Sequence, residues 1–348
     1  MQPQAHDDAT VASAPQSESS PVPYTDDTYA CPCTHDHEPT LLSFEVMPPR
    51  KPSLEAPFWK IVDSLLGVRP DFMSVTYGAG GKDRSNARST VHRLVADTPI
   101  QPIAHLTCVG NSTDEVVSAV YDYLDSGVRT FLALRGDPPA GENSWEPGPG
   151  GVGSATELIH LIRTVEKRRC DAHPGEALRS AFKPLTIAVA AFPAGNPAAG
   201  TTPAQEVERL LVKQAAGASF AITQLFWDPD VYASFVERAR RAGVTLPIVP
   251  GILPATDPAR LRRVQDLTGI EVPEHILAAL SDRSDQEARY AFGAAFGSRL
   301  FHDVIDVGAP GVHLYTFNQA RPVLDILALV GVGADPDRFP ASPPDTRA

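Results

Sequence analysis

The segment LLSFEVMPPR, residues 41–50, sets a single acid inside an apolar run. Leu41, Leu42, Phe44, Val46 and Met47 read as a short buried strand, and Pro48-Pro49 ends it. An ionised Glu45 in that position costs several kcal/mol unless it is compensated. Either a cation such as Arg50 or Arg135 answers the charge, or the proton is kept for chemistry. Polar residues recur at the ends of the other apolar runs. Thr76-Tyr77-Gly78 closes one, His105 and Thr107 lie in a second, and Arg135-Gly136-Asp137 closes a third. Thr223-Gln224 and Tyr315-Thr316-Phe317-Asn318 close two more. An acid, an imidazole, amides and hydroxyls gathered on one rim suit proton transfer to a small polar molecule. Each has a structural alternative: His105 as a core histidine, Arg135–Asp137 as an ion pair closing a barrel, Gln224 as a helix cap.

The elements that would place these residues alternate regularly. Strand-like runs cover 41–47, 71–77, 102–108, 130–136, 185–192, 220–226, 247–252 and 311–317. Helical patterns follow them near 54–67, 86–96, 112–126, 154–169, 203–217, 229–242, 257–268 and 321–331. In the first, Leu54, Phe58, Ile61, Leu65 and Leu66 share a face. Continuous apolar strands each followed by a helix imply a parallel sheet covered on its outer side. Eight such units predict an α/β fold, a (β/α)8 TIM barrel over residues 39–332, with extra helices at 273–281 and 285–305 between strands seven and eight. An open doubly wound sheet is the alternative. No G-x-G-x-x-G follows a strand, and GPGGVG at 148–153 lies in a loop.

Composition bounds the function. The 348-residue chain is 43% apolar, 21% charged and carries a net charge of -12. That balance argues against nucleic-acid or anionic-membrane partners, which call for basic patches. No apolar run reaches the length of a membrane helix and no secretory signal opens the chain. With 4 cysteines, a reducing cytoplasm is the expected compartment. Residues 1–38 and 333–348 read as disordered tails, the first acidic and free of Lys and Arg. Cys31, Cys33, His35 and His37 alternate too closely for a structural zinc site, so no metal is expected.

The motifs SFEVMPPR, SVTYGAGG, PIAHLTC, LALRGDPP, AITQLFWD, PGILP and HLYTFN, in this order across residues 41–331, resemble the 5,10-methylenetetrahydrofolate reductase family. The resemblance implies a barrel that reduces 5,10-methylenetetrahydrofolate to 5-methyltetrahydrofolate with NADH or NADPH, the hydride relayed by bound FAD. It implies that Glu45 is the acid that opens the imidazolidine ring to an iminium cation, with Asp137 beside the pterin as the second catalytic group. It places Thr76, Tyr77, His105, Arg135, Gly136, Asp137, Ala155 and Lys213 around the cofactor, and Asp137, Gln224, Gln319 and Arg321 around the folate.

The departures from the family pattern gather on the flavin side. Asn196 stands where a histidine is usual, Leu211 and Val212 where polar or basic residues are usual, and Ser154 where an aromatic is usual. Glu206, Arg209 and Lys213 remain of that polar group. A diphosphate needs donors and positive charge. This thinning raises a second mechanism, direct hydride transfer from NAD(P)H without flavin. On the folate side, Gln319 replaces an arginine, with Arg321 as a substitute, and Pro258 replaces an aromatic. The lack of a basic pocket for a 2'-phosphate leans toward NADH. A folate- or nucleotide-binding barrel without turnover is the reading from another class. The chain is also expected to lack the C-terminal regulatory domain of some eukaryotic relatives.

Overall fold

The alternation of the sequence is built as a ring of parallel strands inside a sleeve of helices. A computed structural model describes residues 41–77, 84–136, 145–148 and 150–332. In chain order the elements are β1 (Leu41–Val46), α1 (Glu55–Leu66), β2 (Phe72–Val75), α2 (Arg84–Asp97), β3 (Gln101–Thr107), α3 (Thr113–Asp125) and β4 (Thr130–Leu134). Then come α4 (Ala155–Ala172), α5 (Pro174–Phe182), β5 (Thr186–Ala191), α6 (Pro203–Ala215), β6 (Phe220–Thr223) and α7 (Pro229–Arg241). The last are β7 (Ile248–Val249), β8 (Gly251–Ile252), α8 (Pro258–Thr268), α9 (Glu274–Ser281), α10 (Gln286–Asp306), β9 (Gly311–Tyr315) and α11 (Ala320–Leu329). The sheet order is β7-β6-β5-β4-β3-β2-β1-β9-β8. Because β1 lies between β2 and β9 and every pairing is parallel, the chain closes on itself as a barrel and the doubly wound alternative falls.

Two apolar layers hold the ring. Leu42, Phe44 and Val46 face outward with Met73, Val75, Ala104, Leu106, Phe131, Ile187 and Leu314, packing under helices through residues such as Phe58, Val91, Val120 and Ile159. The alternate residues face inward. Ile103, Leu132, Ala188 and Ile222, with Phe72, Leu134 and Phe220, form a separate inner plug on the β2–β6 side. On the β9–β1 side the interior is polar, with Ser43 and His313 in register across the two strands.

The single strand expected at 247–252 is two. Pro250 has no N–H to give a ladder, and the chain changes partner there: β7 pairs with β6 and β8 pairs with β9. The proline carbonyl still accepts from the His313 N–H at 2.9 Å. Across this seam the Tyr315 hydroxyl donates to the Thr223 carbonyl at 2.7 Å, and the Gly251 N–H donates to Thr223 Oγ1 at 2.9 Å. A further helix, α5, was not expected; Pro174 at its first turn and the Arg169–Glu176 ion pair at 3.0 Å hold it against α4. The tails, with the Cys31, Cys33, His35 and His37 cluster, lie outside the described residues. Among the described residues no His, Cys, Asp and Glu group is arranged to hold a metal, and no helix is long and apolar enough to cross a membrane.

At the N-terminal face of the barrel the buried charges are paired. Arg129, only 5% exposed, reaches Glu166 at 2.5 Å and donates to the Lys183 carbonyl at 2.9 Å. Arg163 donates to the carbonyls of Leu185 and Gly217, tying α4 to the starts of β5 and β6. Such charges at that face serve stability.

The seam leaves no room for a side chain at residue 251. A Cβ there would lie 2.4 Å from the Thr223 carbonyl oxygen and 2.6 Å from the Tyr315 ring. Gly251→Ala is expected to lower stability by roughly 1–3 kcal/mol through overpacking, and Tyr315→Phe by about 1 kcal/mol through one lost hydrogen bond. Urea titration of the variants checks both. An unchanged Gly251→Ala midpoint would mean the seam is looser than described.

Candidate active site

Glu45 closes β1, opposite Ser74 of β2 and Tyr315 of β9 in the ladder, and its side chain points into the polar half of the barrel. The Glu45 side chain as a whole keeps 23% of its surface exposed. Among the described residues no Lys or Arg lies within ion-pair range. The expected alternatives of Arg50 and Arg135 as partners therefore fall away. The near neighbour is His105 Nε2 at 3.8 Å, too far for a hydrogen bond. Burial raises the Glu45 pKa to about 7 and lowers that of His105 to about 3. The contact is thus a neutral imidazole beside a carboxyl group poised to hold or release a proton at neutral pH, rather than an ion pair. His105 Nε2 and Ser74 Oγ are buried without hydrogen-bond partners. Below them His313 Nδ1 and Ser43 Oγ share a hydrogen bond at 2.7 Å, and burial, then His105, holds His313 near 3 as well.

The other two deeply placed acids make the contrast. Glu166 is bonded by Arg129, and Glu206 by Arg209 at 2.9 Å and by Thr201. Glu45 alone of the three has no cation among the described residues.

Several residues named from the sequence are brought to the same rim. The Thr76 N–H donates to the Val46 carbonyl at 3.1 Å, setting Thr76 beside the end of β1. Arg135 is exposed at the end of β4. Gly136 takes φ +87°, and a Cβ there would crowd Val109 and Thr107 at 3.1 and 3.3 Å, so glycine is required. Asp137 lies outside the described residues. Gln224 follows β6, its Oε1 accepting from the Leu225 N–H at 2.9 Å.

Other named residues are directed elsewhere. Tyr77 is 4% exposed and packs in the outer layer beside Arg88. Arg321 is bound by Glu287 at 2.6 Å and Asp325 at 3.4 Å and lies over the Tyr290 ring. Gln319 stands at the N-cap position of α11 without a side-chain capping bond, and its amide oxygen accepts from Arg260 at 2.6 Å. Pro258 is the first residue of α8, behind the Asp257 cap. Ala155 begins α4, behind the Ser154 cap.

Two residues at the rim were visible in the sequence without an assigned role. Thr316 Oγ1 donates to the Glu45 carbonyl at 2.6 Å. The Asn318 amide accepts from the Met47 N–H at 2.8 Å and donates to the Met47 carbonyl at 2.7 Å. A polar residue just past a strand end was the available signal.

The residues expected around a flavin diphosphate are committed to the protein. Asn196 Oδ1 accepts from Ala199 N–H at 3.3 Å within its own turn. Lys213 Nζ donates to the Ala190 carbonyl at 2.8 Å, and burial lowers its pKa to about 8. Arg209 is paired with Glu206, and Val212 is exposed. As they stand, these side chains offer too few free donors to hold FAD as a resident group.

With this geometry established, comparison with known proteins places the chain. The sequence profile described as methylenetetrahydrofolate reductase matches residues 33–331. The 5,10-methylenetetrahydrofolate reductase of Salmonella typhimurium is 31% identical over 292 residues, covering 84% of this chain and 90% of that protein. A rice protein named probable methylenetetrahydrofolate reductase (NADH) is 31% identical over 302 residues, and the match covers 84% of this chain but 48% of the longer plant protein. This chain therefore aligns with about half the length of that relative. Among solved structures, an uncharacterised Clostridium thermocellum protein, described as binding two copies of 5-methyl-5,6,7,8-tetrahydrofolic acid, shares the fold at a TM-score of 0.54 and 15% identity. The match covers 84% of this chain and 93% of that one. By the extent of the profile match and the identity to full-length bacterial relatives, the chain is a member of the methylenetetrahydrofolate reductase family.

Proposed function

We propose that this chain reduces 5,10-methylenetetrahydrofolate to 5-methyltetrahydrofolate, with NADH as the hydride donor and Glu45 as the acid. One observation carries the reading: a carboxyl group turned inward, without a cation among the described residues, and raised to about 7 by burial. Glu45 gives its proton to the ring nitrogen that leaves the bridging methylene. That carbon–nitrogen bond breaks, and the lone pair of the other nitrogen makes the methylene an iminium. Hydride from the dihydronicotinamide adds to the iminium carbon, leaving a methyl group and oxidised nucleotide. The Glu45 carboxylate is reprotonated through the open mouth. Neutral His105 does not compete for the proton, and Asp137 is the anion assigned to the cationic intermediate.

The donor acts directly, in a ternary complex, rather than through FAD. The support is the commitment of Lys213 to Ala190, of Arg209 to Glu206 and of Asn196 to its own turn. NADH is preferred because the sequence offers no basic pocket for a 2'-phosphate. A barrel that only binds folate would gain nothing from an inward acid held against its own desolvation.

Glu45→Gln is expected to lower kcat by about 10²-fold or more while folate binding, followed by calorimetry, persists. Unchanged turnover would remove the mechanism. The wild-type kcat should fall as pH rises through about 7, where the acid form is lost. Stability gives the same information without substrate. The folded pKa lies above the ordinary carboxyl value of 4.5, so the folded state holds a proton that the unfolded chain has released between pH 4.5 and about 7. Over that window stability falls as pH rises, and it levels above it. Glu45→Gln should abolish the slope and leave the protein up to about 3 kcal/mol more stable at high pH. The purified protein should be colourless and oxidise NADH in the presence of methylenetetrahydrofolate. A yellow protein that retains flavin through purification would restore the FAD relay.

A further inference from the structure

We propose that Asn318, with Thr316, is the positioning device that fixes the end of β1 and so aims the Glu45 side chain into the barrel. The regular β1–β9 ladder stops at Glu45 and Tyr315. Beyond it, side chains take over from backbone. Thr316 Oγ1 holds the Glu45 carbonyl, and the Asn318 amide makes both bonds a strand neighbour would make to Met47, across 271 residues of sequence. The Asn318 N–H donates back to Thr316 Oγ1 at 3.0 Å, so the two clamps are one unit. On its other side β1 is held by the Thr76 N–H at the Val46 carbonyl. The peptides flanking the acid are thereby fixed from β9 and from β2.

The turn that brings Asn318 round is strained. Phe317 and Asn318 take φ of 47° and 55°, a left-handed region that side chains other than glycine rarely adopt. Such strain is retained where the surrounding contacts over-determine it, and it gathers at functional sites. The contacts here are to the carbonyl of the acid itself and to Met47, two residues further on. Release of the clamp frees the end of β1 to pivot and lets the carboxylate leave the low-dielectric interior for the open mouth.

The inference rests on Glu45 as the proton donor, and its test has an arm that needs no substrate. The titratable groups facing Glu45 are His105 from β3 and Tyr315 from β9, with His313 below; Ser74 from β2 does not titrate. Burial holds the two histidines near 3 and raises the tyrosine above its ordinary value, so between pH 4.5 and 7 only Glu45 changes charge among them. In Asn318→Ala and Thr316→Val the slope of stability against pH over that window should flatten, as the acid regains an ordinary pKa. Asn318→Asp keeps the acceptor for the Met47 N–H but not the donor, and should fall between. Thr316→Ser keeps the hydroxyl and should restore the wild-type slope. In turnover, Asn318→Ala should lower kcat about 10²-fold with the KM for NADH unchanged, and the pH at which kcat falls should move down. Variants with a lower melting temperature but the wild-type pH slope and pH–rate profile would reduce the clamp to a structural role and overturn the proposal. If the wild type does not reduce methylenetetrahydrofolate, the functional reading fails, while the stability arm still decides whether the clamp controls Glu45.

Discussion

Glu45 stays inside the barrel because its backbone is held there, since among the described residues no hydrogen bond or cation holds its side chain. A carboxylate taken from water without compensation shifts toward its neutral form. The neighbours of Glu45 are chosen from groups that cannot supply compensation: an imidazole kept neutral by its own burial, a serine and a tyrosine. Polar, uncharged company tolerates either state of the acid and stabilises neither strongly. That is the condition for a proton that must be both retained and given away.

The rest of the barrel is arranged around that imbalance. Its N-terminal face ties buried charges into pairs and carbonyl contacts, with Arg129, Glu166 and Arg163 stitching α4 to the strands. Its interior is divided, with an apolar plug across β2–β6 and a polar strip along β9 and β1. The plug supplies cohesion, and the strip carries Glu45 at its upper end. Separating the two lets the fold remain stable while one acid is kept out of its preferred state.

Local pattern was enough for the alternation of strands and helices, because each β/α unit is amphipathic in its own sequence. Glu45, His105 and the strand ends stood out for the same reason: a polar residue in an apolar run is visible without knowledge of its neighbours. What the pattern could not convey is partnership across the chain. Nothing near Pro250 announces that the strand changes neighbour there, since β6 and β9 are distant in sequence. Arg321 has the right charge for a substrate contact, yet Glu287 and Asp325 already hold it. Tyr77 sits one residue beyond Thr76, and in a strand one residue is the difference between the cavity and the helical sleeve. The second helix after β4 was hidden by the mixed character of 174–182, where Leu178 and Phe182 remain exposed.

The pairing of β1 with β9 has a consequence for how the molecule is made. Of the described strands, β1 leaves the ribosome first and acquires its second neighbour only when β9 has emerged, and contacts of such long sequence separation form late. Until then β1 is an unprotected edge, and its acid is an ordinary solvated carboxylate that has lost its proton to water. The unusual proton affinity is therefore a property of the finished ring and of no nascent fragment. The acid is raised only once β9 has joined β1, which makes closure of the ring a checkpoint written into the topology.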